Sequence, residues 1–185
     1  MYWGVAANHL TAMQPSEFTE LLRRHAGLVH KIAFAYCRDP VDRQDVLQEI
    51  AVQLWRSRHR FDRRFQETTW IWRIAINVAI SFYRREHRHR ARAGPLEDAD
   101  GERALVVEPT PVGGDVQLLL RCIDELGELE KSLALLYLDG LDHASIAEVL
   151  GLSVSNVGTK LLRLKDKLRV AFEMNSRAEG KDPAS

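Results

Sequence analysis

The chain has 185 residues, 45% of them hydrophobic, and 26 basic residues balance 26 acidic ones. It is long enough for one medium domain or two small ones and apolar enough to bury a core. The zero net charge argues against a nucleic-acid binder only until the charges are placed. Residues 56–92 hold eleven arginines against three acids, a net of +8. Residues 96–130 hold ten acids against two arginines, a net of −8, and residues 153–172 hold five basic residues against one acid. Two basic stretches separated by an acidic one suggest two nucleic-acid-facing units and a connector.

In chain order, residues 1–14 read as an extension. The start "MYWGVAANHLTAM" lacks the basic flank and long apolar core of a signal peptide, and Met13 offers a second candidate start. Ser16 is the candidate N-cap of a helix through Phe18, Leu21 and Leu22. "LVHKIAFAY", Leu28 to Tyr36, continues its periodicity across Gly27. "RDPVD" is a break, because proline cannot continue a helix interior. From Asp45 a second helix carries a core stripe of Val46, Leu47, Ile50 and Leu54. Asp45, Gln48, Glu49 and Val52 are neighbours on its other face. That patch either docks a basic partner or is simply solvated.

A polar loop, "DRRFQET", leads into a third helix from about Thr69 to His89. Here Trp70, Ile71, Trp72, Phe82 and Tyr83 stand among Arg73, Arg84, Arg85, Arg88 and Arg90. Rings beside guanidinium groups suit single-stranded DNA, where bases stack and phosphates pair. Spacing alone assigns Trp70, Ile71, Ile74, Val78 and Phe82 to the core. Asn77 falls inside that apolar run, where a buried amide needs a partner.

Residues 91–113 are rich in Gly, Pro and acids and read as a flexible linker. Beyond it two helices divide near Gly127. "HASIAEVLGLSVSNVGTKLLRLKDKL" then gives a short helix, a glycine stop at Gly151, a cap at Ser153 and a second helix. Val157, Leu161, Leu164 and Leu168 share the packed face of that last helix. Ser155, Asn156, Thr159, Lys160 and Arg163 lie between them, side chains suited to phosphates and base edges. This is the pattern of a helix-turn-helix, whose second helix enters the major groove. The resulting picture is all-α: a helical domain at 15–90, a linker at 91–113, a helix-turn-helix domain at 114–172 and a polar tail at 173–185.

Other chemistry finds no support. Cys37 and Cys122 are far apart, flanked by apolar residues and without metal-ligand spacing, so they read as buried thiols, with a disulfide between them left open. No stretch approaches the ~20 apolar residues of a membrane span. The histidines form no HExxH, and no glycine-rich phosphate loop or nucleophile elbow occurs. No enzyme activity, cofactor or metal is expected.

Three stretches together carry a family resemblance: "DRQDVLQEIAVQLW", "TTWIWRIAINVAISFYRR" and "GLDHASIAEVLGLSVSNVGTKLLRLKDKLR". They resemble, in order and spacing, the signature regions of bacterial extracytoplasmic-function sigma factors of the sigma-70 family, over about Phe18 to Leu168. The resemblance implies a sigma region 2-like bundle and a sigma region 4-like helix-turn-helix domain that bind core RNA polymerase and promoter DNA. It places Asp45, Gln48, Glu49 and Val52 against the β′ clamp helices, with the β subunit as a further contact. It assigns Arg63, Arg64, Phe65, Arg73, Asn77, Arg84, Arg85 and Arg88 to the −10 element. It assigns Ser153, Ser155, Asn156, Thr159, Lys160 and Arg163 to the −35 element. An anti-sigma factor is a further implied partner, and a cytoplasmic location, including retention at the inner membrane face by that factor, is implied without membrane insertion. Four positions depart from the pattern: Arg43 and Gln44, where a small and an acidic residue are usual; Ala51, where a large apolar one is; and Gly158, inside the recognition helix. The rival reading is a helix-turn-helix regulator that acts without being a polymerase subunit.

Overall fold

The computed structural model describes residues 13–37, 39–62, 66–93 and 114–178. Among them every regular element is helical: α1 (Pro15–Arg24), α2 (Ala26–Tyr36), α3 (Pro40–Ser57), α4 (Glu67–Ala93), α5 (Gly114–Asp124), α6 (Glu128–Leu138), α7 (His143–Leu150) and α8 (Val154–Ala178), with a 3-10 turn at Arg58–Arg60. The expected N-terminal extension lies outside the described residues up to position 12. Most of the expected linker does too, since α4 runs on to Ala93 and description resumes at 114. Helix α8 likewise continues to Ala178, past the expected tail boundary at 172, and its Ser176 is buried.

Helix boundaries follow local chemistry. α1 starts at Pro15 rather than after Ser16. Proline at the first helical position lacks only an N–H that would be orphaned anyway, and the Gln14 N–H donates to Glu17 Oε2 at 3.0 Å. The first helix is not continuous: it breaks at His25, two residues before Gly27. There the His25 ring lies 3.4 Å from Glu67 at the start of α4, and Arg24 pairs with the same carboxylate at 2.8 Å. Pro40 ends nothing; it opens α3, with Asp39 accepting from the Val41 N–H at 2.7 Å. The apolar pattern places the start of that helix at Asp45, because proline cannot continue a helix interior, whereas at the first turn it opens one.

α2 and α3 pack against α4 around Ile32, Val46, Ile50, Leu54, Ile71 and Trp72, all fully buried. The side of α4 that faces them is Ile71, Trp72, Ala75, Ile76 and Ala79. The expected stripe was rotated from this: of its members only Ile71 is buried, while Trp70, Ile74, Val78 and Phe82 are half-buried. Small alanines at 75 and 79 let the neighbouring helices approach, a preference that apolar periodicity does not register. Trp70 instead stacks on Phe61, ring centroids 4.8 Å apart. In the C-terminal half, α8 packs on α5, α6 and α7 around Leu133, Leu136, Ile146, Val157, Leu161 and Leu164.

The two halves are in contact. α4 packs against α7, and one continuous apolar cluster runs from α1 to α8. Cys37 and Cys122 are both free and buried. Burial pushes the Cys37 thiol up to about 12, which leaves it protonated and unreactive at neutral pH.

Candidate nucleic-acid and polymerase interface

Burial of Val46, Ile50 and Leu54 on one side of α3 turns Asp45, Gln48, Glu49 and Val52 outward, and all four are exposed. Glu49 accepts from the Gln53 amide at 2.6 Å. A valine 39% exposed among acids has no packing reason to be there. This patch forms one wall of a groove of about 690 Å³. The other wall is α4: Ile74, Asn77, Val78, Ser81, Phe82 and Arg85. The tertiary structure thus brings two separately assigned sets of residues, 45–52 and 77–85, onto a single surface.

Asn77 is exposed on this wall, so its amide has water and no buried debt. The Ser81 hydroxyl donates to the Asn77 carbonyl at 2.7 Å. The Arg85 guanidinium lies 4.9 Å over the Phe82 ring, an aromatic–cation unit open to the groove. Gln53, Val78, Ser81 and Phe82 are groove-lining residues that the sequence reading did not place there. The i, i+4 ladder Ile74–Val78–Phe82, a core stripe by spacing, is the signal for them. Arg73 and Arg88 are exposed, the latter donating from Nε to the Arg84 carbonyl at 3.2 Å. Arg84 faces elsewhere: its Nε donates to Glu128 Oε2 of α6 at 2.6 Å. Arg63, Arg64 and Phe65 lie outside the described residues.

The C-terminal surface is built by two caps and a turn. Asp142 accepts from the Ser145 N–H at 2.7 Å to start α7, and that bond holds its carboxyl below the usual range. Gly151 ends α7 in the left-handed region, at φ 67°, which glycine adopts at little cost. Ser153 Oγ accepts from the Asn156 N–H at 3.3 Å and starts α8. With Val157, Leu161 and Leu164 buried, Ser155, Asn156, Thr159 and Arg163 are exposed and Lys160 is half-buried. Lys167 and Lys165, further along, are engaged with α6, through Glu130 at 2.6 Å and over the Tyr137 ring at 4.3 Å. Gly158 has room for a side chain, since an added Cβ would meet only the His143 ring at 3.8 Å.

An exposed polar-basic helix start on a tight turn suits duplex reading. A groove that mixes acids, an amide, an aromatic and an arginine suits a protein partner and unstacked bases together. Among the described residues no group of His, Cys, Asp or Glu is placed to hold a metal ion, and no helix is long and apolar enough to cross a membrane.

Comparison with known proteins maps onto these two surfaces. Residues 21–89 match the sigma-70 region 2 family, and residues 116–168 match the sigma-70 region 4 family. The chain is 29% identical over 166 residues to the ECF RNA polymerase sigma factor SigE of Mycolicibacterium smegmatis, covering 85% of this chain and 62% of that one. It is 27% identical over 168 residues to the RNA polymerase sigma factor CnrH of Cupriavidus metallidurans, covering 86% and 88%. Two solved structures share the fold. One is the sigma factor RpoE in complex with the anti-sigma factor NepR from Bartonella quintana, at TM-score 0.71 and 14% identity, covering 85% of this chain and 98% of that one. The other is CnrH in complex with the cytosolic domain of CnrY, at TM-score 0.63 and 21% identity, covering 88% and 92%.

Proposed function

The chain belongs to the extracytoplasmic-function sigma factors of the sigma-70 family, and from that premise we propose that it binds core RNA polymerase, directs it to promoters and promotes initiation. The observation that carries this is the coincidence of the region 2 match with the α3–α4 groove and of the region 4 match with the α7–α8 turn. A regulator that bound DNA without polymerase would have no use for the first.

The domains run 15–90 and 114–172, joined by the acidic linker. Asp45, Gln48, Glu49 and Val52 grip the β′ clamp helices, charge and amide around one apolar contact. Arg63, Arg64, Phe65, Arg73, Asn77, Arg84, Arg85 and Arg88 serve the −10 element. There the groove captures a base from the melted strand and offsets unstacking, which costs a few kcal/mol. Ser153, Ser155, Asn156, Thr159, Lys160 and Arg163 read the −35 duplex through base edges and phosphates. Positioning and strand capture involve no bond-making by this chain, so no catalytic residue is assigned. NepR and CnrY are found on the neighbouring structures, and an anti-sigma factor is a fitting partner here also. The site of action is the cytoplasm.

Transcription in vitro with purified core polymerase and a genomic promoter pool is the direct test. Discrete promoter-initiated transcripts that require this chain are expected. Polymerase-independent DNA footprints without such transcripts would instead favour the regulator.

A further inference from the structure

Helix α8 carries its free cations on one flank and a glycine on the other. Counting about 100° per residue from buried Val157, Lys160 and Arg163 lie about 60° and 120° round one way, and Gly158 lies about 100° round the other. Ser155 and Leu162 share the Gly158 flank and are exposed. The cations of that flank are engaged elsewhere: Lys165 sits over the Tyr137 ring at 4.3 Å, and Arg169 pairs with Asp166 at 3.4 Å. What stands beside Gly158 comes from the neighbouring helix. His143, the first residue of α7, is exposed, and a Cβ on Gly158 would meet its ring at Nδ1 at 3.8 Å and at Cε1 at 3.9 Å. Among the described residues the ring makes no hydrogen bond. The adjacent Asp142 is already engaged, accepting from the Ser145 N–H at 2.7 Å. Glycine inside a helix is weaker than alanine, and here it leaves open the space beside the imidazole.

We propose that His143 is a further −35 contact, a ring N–H that donates to a phosphate of the strand bordering the Gly158 flank. The inference rests on the sigma-factor reading and goes beyond the residues assigned to that element. A helix with its side chains is about 10–12 Å across and the major groove about 12 Å wide, so a helix lying in it has a phosphate strand on either side. Lys160 and Arg163 face one of them. On the other flank α8 itself offers a hydroxyl, a glycine and a leucine, and none of these is a cation. In a helix-turn-helix the first helix crosses the backbone, and His143 is where α7 meets the recognition helix. The missing side chain at 158 is the seat of the imidazole. Anything longer than alanine there pushes the ring off α8 and away from the strand. Imidazole has an N–H donor in either protonation state, so the contact does not depend on its charge.

The test is promoter binding by holoenzyme made with the full chain, on a promoter recovered by transcription in vitro and on its −35 variants. His143→Ala should weaken binding about 2- to 10-fold, the loss of one hydrogen bond. The loss should be equal on every −35 sequence, because phosphates carry no base information, and the thermal melt should not move. His143→Lys should restore affinity and steepen the salt dependence by about one phosphate contact, a rescue that a packing role would not show. Gly158→Leu should cost as much as His143→Ala, and the two together little more than either. Should His143→Ala melt early, the salt slope of His143→Lys decides. Undiminished affinity in His143→Ala, a loss confined to one −35 sequence, or an unchanged salt slope in His143→Lys overturns the phosphate contact. Additive losses in the double variant overturn the seat on Gly158. No promoter complex and no transcript from the wild-type chain overturns the sigma-factor reading, and the −35 role of His143 with it.

Discussion

Two seams hold this molecule, and they are built differently. The seam inside the C-terminal half is dry: Leu133, Leu136, Ile146, Val157, Leu161 and Leu164 are all at most 4% exposed. The seam between the halves shares the apolar cluster through α4 and α7 and adds a lysine, a tyrosine and ion pairs at its edges, with an apolar groove left open along it. Apolar packing has no better alternative in water, so it makes a permanent joint. Hydrogen bonds exchange with water at small net gain, so they make a specific but reversible one. Helix α8 is fixed mainly by the first kind, and the placement of the two halves by both.

The largest effect should come from the dry seam. Leu161→Ala removes a side chain that is 3% exposed and should cost about 2–5 kcal/mol of folding stability in denaturant melts. A cost under about 1 kcal/mol would mean that this seam is as yielding as the junction. Next, Arg163→Ala, on the outer face of the same helix, should leave the melt unchanged and weaken −35 binding by holoenzyme. If Arg163 contacts guanine, the loss is about 1–3 kcal/mol and disappears when that base is changed. If it contacts phosphate, the loss is similar across sequences and the salt slope falls by about one. Tyr36→Phe deletes the donor to the Glu128 carbonyl and should cost about 0.5–1.5 kcal/mol. The loss should appear in cleavage by protease between residues 94 and 113 before it appears in the melt of either half. Smallest is Gly158→Ala, which should stabilise α8 by about 0.5–1 kcal/mol, because the added methyl meets only the His143 ring at ordinary contact distance. A loss of promoter affinity in that stabilised variant would show that Gly158 serves close approach to DNA.

Where the sequence was legible, one periodicity or one cap dominated. α8 carries four apolar residues at spacings of four, three and four, bounded by a glycine and a serine, and the structure buries three of them fully and half-buries Leu168. The α3 patch was legible for the same reason, since a single stripe left only one face for Asp45, Gln48, Glu49 and Val52. α4 was harder. It is apolar on two faces, so spacing could not choose between Trp72, Ala75, Ile76 and Ala79, which are core, and Ile74, Val78 and Phe82, which line the groove. Proline at 40 and the break at His25 were misread because each depends on its position in a turn or on a distant carboxylate.

The sequence by itself determined the helices, the helix-turn-helix, the outward residues of α3 and α8, and the segregation of charge, because these depend on neighbours within a few residues along the chain. Only the tertiary structure decided which face of α4 is core, that the acidic patch and the Asn77–Arg85 face form one groove, and that Lys131 and Tyr36 join the halves. Those contacts link residues as far as 96 positions apart. Local periodicity carries no record of such partners, and a lysine in a helix reads as solvated until another part of the fold supplies its acceptor.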